Sequence, residues 1–197
     1  QLIAHLDQGV PARQFVNEDN VEIVSRMHLL TTKPIMYVCN VEEDNVVSGN
    51  QFSKKVEQEF GVDASVVTIS AKIEAEIANL DDPEERSEFL ESVGLSETGL
   101  SKIIRGGYDI LGLITFFTVG EKEAHAWTVR KEAKAPTAAG VIHTDFEHGF
   151  IRAETIAYDD YMEHGSESKV RDAGKLRLEG KDYLVQDGDI IHFRFNV

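Results

Sequence analysis

The chain opens with apolar residues at helical spacing. Leu2, Ile3 and Leu6 recur on one face, and Gly9 with Pro11 ends that helix. A second helix is predicted to start near Asn17, an N-cap with Val21 and Val24 behind it, and to end before Pro34. The pattern then becomes a short continuous apolar run, residues 35–39. Such a run predicts a strand buried on both faces, as in a parallel sheet. The polar loop 40–45 follows. Phe52, Val56 and Phe60, four apart, predict a helix closed by Gly61. Residues 65–69 predict a second buried strand, ending in Ser70-Ala71-Lys72. Helices interrupted by Asp81-Asp82-Pro83 fill much of 73–112. Strand, loop and helix in that order, twice over, form the later half of an α/β unit. Ligands of such open sheets bind just past the carboxyl ends of the strands. Loops 40–45 and 70–72 both lie there. Two parallel strands alone leave edges and faces bare, so the rest of the sheet is expected elsewhere, most simply on an N-terminal segment outside this chain.

After Gly112 the period changes to two. Residues 113–119 and 125–130 predict two strands around the turn Gly120-Glu121-Lys122-Glu123. Residues 136–143 predict a short helix with Pro136 in its first turn, ended by Gly149, and 150–157 a further strand. Asp187-Gly188-Asp189 is a turn. Ile191, Phe193, Phe195 and Val197 alternate with His192, Arg194 and Asn196, so the chain closes on a half-buried strand. This order suggests a small α+β domain, a mixed sheet packed on one helix.

Composition narrows the class. The 197 residues are 42% hydrophobic, enough to build a core for one large domain or two small ones. A single cysteine makes no internal disulfide and favours a reducing, cytoplasmic compartment. The longest apolar stretch, residues 110–119, falls far short of the ~20 residues a membrane span needs. No signal peptide is visible, and the start at Gln1 suggests part of a longer protein.

Charge is the next constraint. The net charge is −15, which repels bulk nucleic acid. It is uneven: residues 1–112 carry −11 and residues 113–197 carry −4. Within 169–181, Lys169, Arg171, Lys175, Arg177 and Lys181 oppose Asp172 and Glu179, a net of +3. The plainer reading of that segment is a solvated loop; the sharper one is a local anion-binding surface. Arg152, His192 and Arg194 share strand parity and mark a second cationic face. They suit RNA contacts if they are open, or ion pairs with Glu154 or Asp189 if they are not.

Asn40, Val41 and Glu43 follow the first buried strand, and Ser70, Ala71 and Lys72 the second. An amide offers a donor and an acceptor, whereas an ionised carboxylate only accepts. Both are groups that can read a base. In P-loop GTPases the first loop reads Asn-Lys-x-Asp. Here Val41 replaces the Lys and Glu43 the Asp, which argues against guanine selectivity. An Asn after a strand also serves simply as a turn residue. No Gly-x-x-x-x-Gly-Lys-Ser/Thr occurs in these residues, so this chain by itself is not expected to hydrolyse a nucleotide. His143 and His148 lie five apart, not at the i, i+4 spacing of two ligands on one helical face, and Cys39 has no Cys partner; no metal site is expected. No nucleophile–base triad has a local signature. Trp127, on an alternating strand, is read as core or cleft wall rather than a base-stacking platform.

Several strings carry a family resemblance. They are residues 116–120, 126–128, 138–147 and 149–154, then Leu178-Glu179-Gly180-Lys181-Asp182-Tyr183, Gln186-Asp187-Gly188-Asp189 and the ending 193–197. Together they resemble the C-terminal TGS domain of the YchF family. The resemblance extends upstream through residues 30–34, the Asn40–Glu43 loop and Ser70-Ala71-Lys72. It implies an Obg-related, ribosome-associated parent that binds ATP in preference to GTP. The fold implied is α/β: residues 1–34 end a helical insert, 35–112 are the C-terminal part of a P-loop G-domain sheet, and 113–197 are a β-grasp TGS domain. The family's base-recognition loop is Asn-x-x-Glu, matched by Asn40 and Glu43, with the backbone around Ala71 beside them. The phosphate loop and the Mg²⁺ ligands would lie upstream of Gln1, on the other half of the G domain. The implied partners are the nucleotide and the ribosome, specifically the large subunit and its rRNA. His125 stands where the family often has Arg, and residues 131–133 lack an expected glycine. Threonyl-tRNA synthetases and stringent-response enzymes also carry TGS domains but lack the two upstream strand ends. The rival reading is a non-catalytic ribosome- or RNA-binding adaptor that acts through the TGS domain.

Overall fold

The computed structural model describes residues 1–61, 64–120 and 122–196. The predicted turn residue Glu121 and the strand end Val197 lie outside them. The chain folds as two compact units, Gln1–Ile110 and Leu111–Val197.

The first unit begins with two short helices, α1 (Leu2–Leu6) and α2 (Val21–Ser25), and turns of 3-10 helix at Ala12–Gln14 and Leu30–Thr32. The second helix is shorter than its spacing predicted. Asn17 does not cap it: its side chain accepts the backbone N–H groups of Asp19 and Asn20, closing a turn before the helix begins. Strand β1 (Met36–Asn40) leads through α3 (Gln51–Phe60) to β2 (Ser65–Ile69), and α4 (Ala71–Ala78), α5 (Pro83–Ser92) and α6 (Gly99–Leu111) follow. The strands are parallel, in register from Met36↔Ser65 to Asn40↔Ile69. Helix α3 starts on a capping box. The Asn50 side chain accepts from Phe52 and Ser53 N–H, and Ser53 Oγ accepts from Asn50 N–H. Gly61 ends it in right-handed conformation, its N–H donating to the Glu57 carbonyl.

Burial of β1 is less complete than its apolar run predicted. Tyr37 stacks on Phe60 of α3, and Gly106 of α6 sits close to Met36, yet Val38 remains 43% exposed. Helix α6 approaches the sheet closely at Gly99, where an added Cβ would meet Ile69 Cγ2 at 2.6 Å. The Glu74 carboxylate caps that helix, accepting Gly99 N–H at 2.6 Å and Leu100 N–H at 3.1 Å. A core of Val46, Ile73, Ile77 and Leu95 lies under α4 and α5.

The second unit is a five-stranded mixed sheet. Its elements are β3 (Leu113–Val119), β4 (Ala124–Arg130), α7 (Ala135–Ile142), α8 (Thr144–His148), β5 (Phe150–Ile156), α9 (Tyr158–His164), α10 (Glu167–Asp172), β6 (Arg177–Glu179) and β7 (Ile190–Phe195). The order across the sheet is β4-β3-β7-β5-β6; only β3 and β7 run parallel. The helix predicted to run to Gly149 is two, because His143 is extended and its imidazole caps α8 through Asp145 N–H. Ala135, Ala138 and Ala139 are fully buried, so α7 lies close on the face built by Phe116, Val129, Phe150, Ile191 and Phe193. Gly149 allows a close strand approach: a Cβ there would lie 2.0 Å from the Asn196 carbonyl oxygen.

The opposite face is partly covered too, which corrects the one-helix expectation. Val170 of α10 is fully buried with Ile156 and Ile190, and Phe117, Tyr161 and Leu176 pack around them. The basic segment is therefore not a solvated loop. One apolar anchor, Val170, turns it into α10 and the edge strand β6. Its exposed cations surround that anchor.

Candidate functional site

Parallel register sets the first unit's site. Asn40 and Ile69 end their strands side by side, which brings the Asn40 side chain onto the first turn of α4. Its Oδ1 accepts the Ala71 N–H at 2.9 Å, supplying the cap that the Ser70 side chain does not. The Asn40 amide nitrogen keeps its donors for other partners. Beside this bond, Lys72 Nζ donates to Glu43 Oε2 at 2.7 Å. That bond and the charge behind it raise the Lys72 pKa. Four of the six predicted residues, Asn40, Glu43, Ala71 and Lys72, thus form one exposed cluster of linked donors and acceptors. The other two do not face it. Val41 is 8% exposed, with its N–H bonded to the Ile69 carbonyl at 2.8 Å, and Ser70 is 1% exposed. Their roles are packing and strand pairing. Ser70-Ala71-Lys72 is the cap and first turn of a helix, so its backbone donors lie at the positive end of a helix dipole.

The cationic candidates lie in the second unit. On the sheet, Arg152 stands opposite Arg194 in register, and Glu154 opposite His192. Glu154 is 8% exposed and takes both guanidinium groups. Arg194 Nε and Nη2 donate at 3.1 and 3.0 Å, and Arg152 Nη2 donates at 3.3 Å. The Arg194 hydrogen bonds, with help from Arg152, lower the Glu154 pKa against the opposing effect of burial. The pairing weighed for Asp189 goes to Arg177 instead. Buried Asp189 accepts from Arg177 at 3.2 Å, from Tyr183 Oη at 2.6 Å and from Gln186 N–H at 2.9 Å. Burial and that carboxylate push the Tyr183 phenol up to about 12.

Arg171 pairs with Glu167, Lys175 with Asp160, and Arg177 also with Glu179. Lys169 and Lys181 are exposed and form no ion pair among the described residues. The seven cations are therefore mostly neutralised locally, a condition that sequence parity could not reveal.

His143 and Asp145 approach at 3.5 Å, but among the described residues no three His, Cys, Asp or Glu side chains gather to hold a metal ion. Among the described residues no helix is long and apolar enough to cross a membrane. Trp127 walls a cleft in the second unit and packs on its core, as its place on an alternating strand predicted. Two contributors escaped the sequence reading: Glu74, which caps α6, and Glu123, which borders that cleft.

Comparison with known proteins gives a consistent picture. Residues 113–196 match the family model YchF-GTPase_C, described as "Protein of unknown function (DUF933)". The chain is 53% identical over 191 residues to the "Ribosome-binding ATPase YchF" of Bacillus subtilis (strain 168), covering 95% of the chain and 52% of that protein. It is 42% identical over 197 residues to "Obg-like ATPase 1" of Pongo abelii, covering 97% and 49%. Among solved structures, that of the Schizosaccharomyces pombe YchF GTPase superposes with a TM-score of 0.81 at 36% identity, covering 95% of the chain and 50% of that chain. The chain spans about half the length of the curated relatives it matches.

Proposed function

Because the chain belongs to the YchF family over the half of its relatives' length that it spans, we propose that it is the C-terminal portion of a ribosome-associated, nucleotide-binding ATPase that prefers ATP to GTP and acts in translation in the cytoplasm. In this reading residues 1–34 end a helical insert, 35–112 complete the G-domain sheet, and 113–197 are the TGS domain. The observation that carries it is the linked cluster at the strand ends, Asn40 to Ala71 and Glu43 to Lys72. The Asn40 amide nitrogen suits a ring-nitrogen acceptor such as N7. The Glu43 carboxylate accepts only: it suits the N6 amine of adenine, and because guanine also offers donors at N1 and N2, selection between the bases rests on the longer Glu standing in place of Asp and on the missing Lys. When bound, ATP supplies the phosphoanhydride that is hydrolysed; these residues orient its base. Val41 serves the site by holding the strand end in place rather than by touching the base.

The ribosome contact is assigned to the cations of the second unit, with large-subunit rRNA as the partner. Lys169 and Lys181 are its most available members. Arg152, Arg194, Arg171, Lys175 and Arg177 add the outer edges of paired side chains.

The test is an equilibrium titration of ATP and GTP on a complete protein carrying these residues, with Glu43→Gln beside it. Preference for ATP that narrows in Glu43→Gln supports the reading. An unchanged ratio means that the base is read elsewhere. Binding of neither nucleotide, with ribosome co-sedimentation retained, would favour the adaptor.

A further inference from the structure

The parallel pair β3·β7 is joined at a single registered position, Phe117↔Ile190, next to the bonds Phe117 N–H to Asp189 and Gly188 N–H to Thr115. Both strands run on, to Val119 and Phe195, with no registered pair. Where they part, a cleft of about 370 Å³ opens, within the size range of ligand-binding clefts. Trp127 of β4, Ile142 of α7, Phe146 of α8 and Phe195 of β7 wall it. The Phe146 and Phe195 rings stack with centroids 3.8 Å apart, and His125 packs at a tilt against Trp127, centroids 4.1 Å apart. The indole N–H of Trp127 is already used, donating to Thr118 Oγ1 at 2.9 Å. What remains of that ring is an apolar face.

Charge decides the class of ligand. Glu123 is the one carboxylate among the described residues that line the cleft, and none of them is a lysine or arginine. A nucleic-acid strand brings a phosphate with every base and needs cations beside its stacking surface, so an aromatic cleft bordered by a carboxylate repels it. A neutral or cationic ligand is matched instead, and the −15 charge of the chain attracts one from a distance.

We propose that this cleft docks a basic peptide segment of a partner protein, with a large apolar side chain seated against Trp127 and Phe146 and a flanking lysine or arginine facing Glu123. The proposal stands apart from the nucleotide reading, since all its residues lie within the second unit.

Trp127 is the only tryptophan in the sequence, so its fluorescence reports on the cleft directly. The experiment titrates the full 197-residue chain with blocked Lys-Lys-Phe-Lys-Lys, Lys-Lys-Ala-Lys-Lys and Glu-Glu-Phe-Glu-Glu peptides, and with oligouridylate. The expected result is a saturable change with the Lys/Phe peptide and about tenfold weaker binding of the Lys/Ala peptide. Glu123→Lys, on an exposed turn, is expected to weaken the Lys/Phe peptide severalfold and improve the Glu/Phe peptide. A circular-dichroism melt of that variant verifies that it is folded. Equal binding of the Phe and Ala peptides would overturn the proposal, because attraction would then be charge alone. Preferential binding of oligouridylate, or no change with any peptide up to about 10 mM, would overturn it as well.

Discussion

Asn40 Oδ1 accepts the backbone N–H of Ala71 at 2.9 Å, joining two residues 31 apart in sequence at the ends of neighbouring parallel strands. The bond caps α4 and at the same time fixes the orientation of the Asn40 amide. One side chain thus connects helix stability with the base recognition proposed above. Asn40→Asp separates the two. A carboxylate keeps the acceptor for Ala71 and favours the helix N-terminus, but it loses the amide donors. In a complete protein, Asn40→Asp is expected to lower ATP affinity about tenfold, the worth of one hydrogen bond of ~1.4 kcal/mol, with an unchanged melting temperature. Calorimetric titration beside thermal melts measures both.

Val41 stands where a GTPase would carry Lys, yet it is buried and holds the end of the β-ladder. Val41→Lys is therefore expected to destabilise the first unit by ~1–3 kcal/mol as the ammonium is forced toward the core, without creating GTP preference. Urea unfolding and nucleotide titration of the same variant test the two halves of this statement. Stability equal to wild type would show that the lysine escapes to solvent.

Glu154 gives the second unit an acid-sensitive element. Its pKa is lower folded than unfolded, chiefly through Arg194 and with help from Arg152. Its contribution is therefore complete above the ordinary glutamate pKa, and it is lost as pH falls through the lower folded value. Glu154→Gln is expected to cost ~1–2 kcal/mol at neutral pH and to flatten the acid limb of the stability curve. Denaturant titrations from neutral pH down to the acid range follow it; parallel curves for wild type and variant would contradict the assignment.

Thr155, one residue on, is fully buried on the core face, and its hydroxyl has no partner among the described residues. Thr155→Val keeps the shape and removes the unpaired group. It is expected to raise stability by ~1 kcal/mol, seen as a higher denaturation midpoint at unchanged slope.

The ribosome reading is best tested away from Glu154. Reversing Arg152 and Arg194 to Glu would crowd three carboxylates together and lower stability, which would confuse any loss of binding. Lys169→Glu with Lys181→Glu touches no ion pair among the described residues. It is expected to weaken co-sedimentation with ribosomes and flatten its salt dependence by about two units of slope, at an unchanged melting temperature. Wild-type salt dependence in that variant would remove the basic segment from the contact.

The sequence by itself determined the strand–helix order of residues 35–78, most strands of the second unit, the parallel strand ends that carry Asn40 and Ala71, and the parity of His192 and Arg194, but not α8, α9, α10 or β6. Each of the former follows from a local signal: an apolar run, a polar strand end, a period of two. The sequence also carried the family strings, since those are continuous. Only the tertiary structure decided what each group meets. Arg194 was legible as a cation on one face, with Glu154 and Asp189 as its alternative partners; sheet register, across 40 residues, decides for Glu154. Val41 and Asn40 are adjacent in sequence, yet one is buried and the other exposed, because strand pairing turns one inward. The segment 169–181 read as charge; the burial of Val170 against Ile156 and Ile190 made it structure. The sequence offered Trp127 as core or cleft wall, but not the cleft's other walls or its size. The cleft arises where two strands separate after one paired position, and a gap between strands depends on how distant segments pack rather than on any local pattern.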